Sequence, residues 1–259
     1  MFKKTLLSVA IAVGLASGAM ASGEGGEIHD EAFSFEGPFG RFDQHQLQRG
    51  LQVFTEVCAG CHGIKYVYFR NLSDEGGPSW TEDQMKAYTA QIEIYDPEID
   101  DYRQAIPADN FPENDGANAP DLSLMAKARA SFHGPIGLGV NQLIYGIGGP
   151  EYIAAFLTSF TGETKEQAGT ILYENTVFPG GWTAMAPPPL GEFLEYADGH
   201  ENTAHSEAVD VAAFLMWTAE PKMMARKKAA IVWVGLMILL TVLLYLSNKK
   251  LWAKVKRKD

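Results

Sequence analysis

Cys58-Ala59-Gly60-Cys61-His62 constrains this chain more than any other stretch of it. Two thiols separated by two residues can add to the two vinyl groups of a haem, and the adjoining imidazole then stands where it can ligate the iron from one face. The same spacing also admits a dithiol redox pair of the thioredoxin type, which needs a preceding strand. Here the motif follows DQHQLQRGLQVFTEV, where Leu47, Leu51 and Phe54 fall at i, i+4 and i+7 on one helical face. A helix before the motif and a His directly after it favour one covalently bound haem c. With two cysteines in 259 residues, a disulfide-stapled scaffold and a four-thiolate zinc site are excluded.

The two ends of the chain set its compartment. Residues 1–21 carry Lys3 and Lys4, an apolar run from Leu6 to Leu15, and the small-residue stop Ala19-Met20-Ala21. That order reads as a cleaved secretory signal peptide, and the run is too short to span a bilayer. The second apolar run, Ala229 to Ser247, has 19 residues without a charge, about 28 Å of helix at ~1.5 Å per residue. Basic clusters flank it, and Trp233, Tyr245 and Trp252 lie near its ends, as in a membrane span. Six cations follow within ten residues, so the C-terminus is expected in the cytoplasm. The expected division is a signal peptide at 1–21, a periplasmic haem domain at 22–221, a transmembrane anchor at 222–248 and a basic cytoplasmic tail at 249–259.

Charge follows the same division. The net charge of −11 is a sum over two compartments: residues 22–221 hold nine cations and 31 acids, about −22 in total. Such a body repels nucleic acid and anionic lipid, and attracts a basic protein partner with salt-sensitive steering. The run Glu93, Asp96, Glu98, Asp100 and Asp101, with Asp74 and Glu75, supplies candidate docking charges. The other reading of this acidity is solubility alone.

The sixth iron ligand is chosen from nine Met and six His. Met1 and Met20 lie in the signal, Met237 in the span, and Met223 and Met224 at its edge. Met216 and Met125 sit at helical spacings that suit core packing, and Met85 lies in the polar segment TEDQMKAY. Met185 differs, because GGWTAMAPPPL places it between two Gly and three Pro, an irregular stiff loop that can hold a thioether against a haem face. His133, His200 and His205 stay open as alternatives, with solvent-exposed loop positions as their other reading.

The fold expected is mainly α, a cytochrome c-like haem domain with long loop insertions plus one C-terminal transmembrane helix. About 120 residues separate Cys61 from Met185. Much of that excess reads as loop: SDEGGPSW, EIYDPEIDDYRQAIPADNFPENDGANAP and HGPIGLGV are rich in Gly, Pro, Asp and Asn. Helical patterns interrupt it at Thr81–Ile92, Leu122–Ser131, Val140–Tyr145 and Glu151–Leu157. An amphipathic pattern from His205 to Thr218 predicts the last helix of the domain, packed against the first.

FDQHQLQRGLQVFTEVCAGCHG, APDLSLMAKARASF, NQLIYGIGGPEY, WTAMAPPPL and DVAAFLMWTAEP, in this order before a C-terminal span, resemble cytochrome c1, the haem subunit of the cytochrome bc1 complex. The resemblance runs from about Phe33 to Lys258, and with the export signal it suggests a bacterial member. It implies haem attachment at Cys58 and Cys61, axial ligation by His62 and Met185, Pro120 against the haem and Arg129 near a propionate. A buried propionate needs such a cation, while Arg129 as a solvated helix charge is the other reading. The implied activity is one-electron transfer from a Rieske iron–sulfur protein to a soluble cytochrome c, beside a cytochrome b, in a dimeric complex of the bacterial inner membrane. No bond of a substrate is made by this chain. A second cysteine pair found in some bacterial relatives is absent, so a disulfide in the middle region cannot form. The competing classes are another membrane-anchored cytochrome c, usually tethered at its N-terminus, and a haem sensor with an open iron site.

Overall fold

The computed structural model describes residues 28–253 apart from 115, 117, 130–141, 143 and 145. The export signal, His133 and the end of the basic tail lie outside the described residues, as does the 140–145 pattern save for residues 142 and 144, which are helical.

The first helix, α1, spans Gln44–Val53. Asp43 starts it, its carboxylate accepting from the Gln46 backbone N–H at 2.9 Å, which satisfies one of the donors a helix N-terminus leaves open. Leu47, Gly50, Leu51 and Val53 are buried. The next residues, Phe54–Cys58, widen into one π-helical turn that ends on the first cysteine of the motif.

The last helix of the domain, α5, spans Ala204–Ala219 and is capped by Thr203, whose hydroxyl accepts from the Ser206 N–H at 3.2 Å. The expected amphipathic helix is instead buried on nearly every face from Glu207 to Ala219, as befits a central element. It crosses α1 at Gly50, where a Cβ would come within 2.1 Å of the Asp210 carbonyl oxygen and 2.6 Å of the Phe214 Cβ. Beside the crossing, Arg49 Nε donates to Asp210 Oδ2 at 2.7 Å and Nη1 to Asp198 Oδ2 at 2.9 Å. Removing either member of the Arg49–Asp210 pair would leave a poorly solvated charge behind.

Three shorter helices surround this pair. Helix α2, Glu82–Thr89, opens with a reciprocal cap in which the Gln84 N–H donates to Thr81 Oγ1 and the Thr81 N–H to Gln84 Oε1. It confirms the expected helix at Thr81–Ile92, trimmed at its end. The segment TEDQMKAY is polar as a whole, yet Met85 is buried in the core on the inner face of α2. Helix α3 is a single turn, Met125–Ala128, shorter than the expected Leu122–Ser131. Helix α4, Gly149–Thr158, begins two residues ahead of the expected start, with Pro150 in its first turn. Buried residues of α1 to α5 join one hydrophobic cluster around Phe54, Phe214 and Trp217.

Two small sheets lie in the middle region, and the first corrects a loop reading. Strands β1, Glu93–Asp96, and β2, Asp101–Gln104, form an antiparallel hairpin inside the stretch expected to be irregular. Arg103 explains how so acidic a segment pairs: it donates to Asp96 at 2.6 Å and to Asp109 at 2.7 and 3.0 Å. Tyr95 and Tyr102 face each other across the ladder with ring centroids 5.7 Å apart. Strands β3, Phe160–Gln167, β4, Thr170–Asn175, and β5, Trp182–Thr183, form a second antiparallel sheet. Its two-residue turn, Ala168–Gly169, has φ of 52° and 79°, the positive pair that a hairpin twist prefers. Among the described residues the chain therefore remains helix-dominated, with five strands added.

Helix α6, Met223–Trp252, runs 30 residues with an 18-residue window of mean hydropathy 2.6, none of it buried. It is long and apolar enough to cross a membrane. Near its start, the Lys227 ammonium donates to the carbonyls of Phe35, Gly37 and Gly40.

The crossing yields a direct test. Alanine at position 50 gains about 1 kcal/mol of helix propensity over glycine, but its methyl has nowhere to go. G50A is expected to destabilise the protein by a net ~1–3 kcal/mol, read as a lower denaturant midpoint in far-ultraviolet circular dichroism.

Candidate functional site

The loop after the π-helical turn is closed by its own backbone. The Ala59 N–H donates to the Phe54 carbonyl at 2.8 Å, and the Cys61 and His62 N–H groups donate to the Cys58 carbonyl at 3.1 and 2.9 Å. Cys58 is half-buried against the core and Cys61 is exposed. Burial, with the Cys61 thiol as a lesser cause, pushes the Cys58 thiol up to about 12. Among the described residues a helix and a π-helical turn, with no strand, precede the motif, whereas a dithiol redox pair of the thioredoxin type needs a preceding strand.

His62 is oriented by a backbone group 58 residues away. Its Nδ1 lies 2.7 Å from the Pro120 carbonyl oxygen. A carbonyl can only accept, so Nδ1 carries the hydrogen and donates, and the lone pair rests on Nε2, ready for a metal. Metal-binding histidines are commonly held through the other ring nitrogen in this way.

The Pro120 carbonyl is fixed by the residues that follow it. Asp121 accepts from the Lys65 N–H at 2.9 Å through Oδ2 and from the Ser123 N–H at 2.9 Å through Oδ1. The Leu122 N–H donates to the Gly63 carbonyl at 2.8 Å, and Ser123 Oγ accepts from the Tyr66 N–H at 3.1 Å. Thr218 of α5 donates to the Ser123 carbonyl at 3.3 Å. Segments 63–66 and 120–123 are thus laced together and tied to α5. Asn114 adds a brace, its amide donating to the carbonyls of Ala59 at 3.2 Å and Gly60 at 2.9 Å. Gly63 is required here, since a Cβ would approach the Pro112 carbonyl oxygen to 2.7 Å.

Met185 follows β5 in irregular backbone, half-buried. Its N–H donates to Thr183 Oγ1 at 3.2 Å. Downstream of the three prolines, the Gly191 N–H donates to Glu207 Oε2 of α5 at 2.8 Å, and a Cβ on Gly191 would meet the Ala204 nitrogen at 2.7 Å. Burial raises the Glu207 carboxyl above its usual range. The methionine segment is thereby held between a short strand and α5. Arg129 ends α3, exposed, with its guanidinium 5.7 Å from the Tyr152 ring centroid.

Of the sequence candidates, the structure joins His62 and Pro120 directly, keeps Cys58 and Cys61 on the same turn as His62, and sets Met185 on a separately anchored segment. His200 is exposed, its N–H donating to Asp198 at 3.0 Å, and His205 is exposed beside Glu31 at 3.6 Å. Asn114, Asp121 and Glu207 escaped the sequence reading. Only Asp121 left a local signal, the Pro-Asp-Leu-Ser order of an Asx turn.

The sequence profile of the Cytochrome C1 family matches residues 33–255. The chain belongs to the cytochrome c1 family. A cytochrome c1 of Cereibacter sphaeroides is 50% identical over 100% of this chain and 98% of its own length. One from Rhodobacter capsulatus is 44% identical over 98% and 99%. A cytochrome b/c1 of Bradyrhizobium diazoefficiens is 39% identical, with 96% of this chain matching 40% of that longer protein.

Within this cytochrome c1 family member, Asp121 carries the orientation of His62 at one remove. D121A leaves two backbone N–H groups short of an acceptor and should cost ~1–3 kcal/mol, measured by denaturant unfolding. D121N, which keeps one acceptor oxygen, should lose less.

Proposed function

We propose that Cys58 and Cys61 hold one haem c through thioether bonds, with His62 and Met185 as axial ligands, in the electron-transfer subunit of a bc1 complex. The contact of His62 Nδ1 with the Pro120 carbonyl carries this reading, because it fixes the tautomer and aim of the one imidazole adjoining two correctly spaced thiols. Bound there, the haem supplies a one-electron ferric–ferrous couple. The donor set fits such a group: two thiols, a presented imidazole nitrogen, and a thioether on a proline-stiffened loop. A thioether ligand raises the potential relative to a second imidazole. Arg129, whose charge a buried propionate would need, is the candidate partner for that group, and Pro120 lies at the His62 side.

The chain takes one electron from a Rieske iron–sulfur protein and gives it to a soluble cytochrome c. The fusion named in the Bradyrhizobium relative supports a place beside a cytochrome b, and family membership supports a dimeric complex. Helix α6 anchors the chain in the inner membrane, with residues 22–221 on the periplasmic side once 1–21 are removed, and the basic tail of 249–259 in the cytoplasm. Acidic groups steer the soluble partner. Asp96 is already paired with Arg103, whose guanidinium, followed by the Glu98 N–H, holds its carboxyl below the usual range. Glu93, Glu98, Asp101 and Glu75 remain exposed for docking.

Replacing Met185 tests the ligand set. M185L should lower the reduction potential by on the order of 100 mV or more, within the ~0.8 V that axial ligands span, and abolish quinol-driven reduction seen by absorbance. An unchanged potential would move the sixth ligand elsewhere. The association rate with the soluble cytochrome should fall as salt rises from about 10 to 150 mM, where the Debye length shrinks from about 30 to 8 Å. A flat response in stopped-flow mixing would remove the steering role.

A further inference from the structure

Segment 185–191 has few means of fixing itself in place. Pro187, Pro188 and Pro189 carry no N–H. The Met185 N–H reaches back only to Thr183, and the Leu190 N–H donates within the segment, to the Pro188 carbonyl at 2.9 Å. Among the described residues, the Gly191 N–H alone donates from this segment to a helix, meeting Glu207 Oε2 of α5 at 2.8 Å. Consecutive prolines make a semi-rigid spacer, so a displacement at Gly191 is passed on to Met185.

A buried acid is an unusual partner for such a loop. Glu207 is withdrawn from water, and its Oε1 has no hydrogen-bond partner among the described residues, so that oxygen bears its full desolvation penalty. Burial raises the carboxyl, the Gly191 bond pulls it down, and the charges of Asp210 and Glu56 raise it again. The nearby guanidinium of Arg49 is engaged by Asp210 and Asp198. What Glu207 has in return is one bond to a backbone N–H, of the strong charge-assisted kind, in surroundings that screen it little. The loop side is drawn equally close: Gly191 lies at φ +76°, and a Cβ there would come within 2.7 Å of the Ala204 nitrogen at the start of α5.

We propose that Glu207 is a positioning residue for Met185: its bond to Gly191 draws the proline segment against α5 and so sets how readily another ligand displaces the thioether. The inference rests on the reading of Met185 as the sixth ligand. Thr183 anchors the segment only from its own strand, whereas Glu207 anchors it to the helix that also holds the Ser123 carbonyl behind Pro120. Through α5 the two axial sides share one support. Without the carboxylate the segment keeps its stiffness but loses its mooring, and the thioether moves with the prolines.

The test uses the full-length protein purified in its complex and oxidised, with cyanide as the competing ligand. Cyanide affinity, the far-red sulfur-to-iron absorption band and amide hydrogen exchange across residues 185–194 are measured. Glu207→Ala should raise cyanide affinity by roughly 10–100-fold, the worth of a hydrogen bond to a charged group, weaken the band and speed exchange. Glu207→Gln, which keeps an acceptor without the charge, should lie between that variant and the parent. Gly191→Ala breaks the same bond from the loop side and should match Glu207→Ala, which keeps the test open even where the core tolerates no alanine at 207. Thr81→Ala, which loses the distant cap of α2, should change none of the three. Parent values in both Glu207→Ala and Gly191→Ala, or a rise of the same size in Thr81→Ala, would overturn this inference alone. A parent without a band that Met185→Leu removes would overturn the ligand reading and this inference with it.

Discussion

The crossing of α1 and α5 at Gly50 is the constraint on which the other elements depend. Helix α1 delivers the chain into the π-helical turn and hence into Cys58. Helix α5 receives the opposite side of the site: Glu207 ties down the end of the methionine loop and Thr218 holds the segment behind Pro120. Two helices can serve as one frame only if their separation is fixed, and a glycine against a backbone carbonyl fixes it by contact. The Arg49–Asp210 pair then sets the rotation of one helix on the other, since a planar guanidinium with two bonds to one carboxylate tolerates little twist.

From that frame, the orientation of His62 is reached through a chain of small bonds. None is strong alone. Asp121 closes a turn on Ser123 and reaches back to Lys65, Leu122 meets Gly63, and Asn114 braces the carbonyls between the cysteines. An imidazole set by a carbonyl inherits the rigidity of whatever holds that carbonyl. Asn114 and the 120–123 segment are therefore a support for one ring nitrogen.

Local patterns and distant contacts were not equally legible in the sequence. Leu47, Leu51 and Phe54 announce a helix because their spacing is a property of the helix itself, and CAGCH announces its chemistry because the reacting groups are adjacent. The proline loop around Met185 was readable for the same reason. The β1–β2 hairpin was hidden, because a run of Asp, Pro and Glu reads as loop until Arg103 is seen to neutralise Asp96 and Asp109. The β3–β4 ribbon was hidden by its polar content, and Met85 by its polar neighbours. Asn114, Asp121 and Glu207 act on partners that folding alone brings near, so no window along the chain reveals them. Helix α5 was expected to be two-faced and is buried all round, because α1, α3 and α4 all pack on it.

Helix α6 leaves the domain almost without a hinge. Only residues 220–222 separate it from α5, Glu220 is bonded to Arg226 and to Lys127, and Lys227 grips three carbonyls of the 35–40 loop. A body mounted in this manner behaves as a post set in the membrane, with neither the reach nor the slack of a ball on a string. On the electron-transfer reading proposed above, a redox group held in such a body keeps a fixed place relative to the membrane, and shuttling over a gap too wide for tunnelling falls to other molecules.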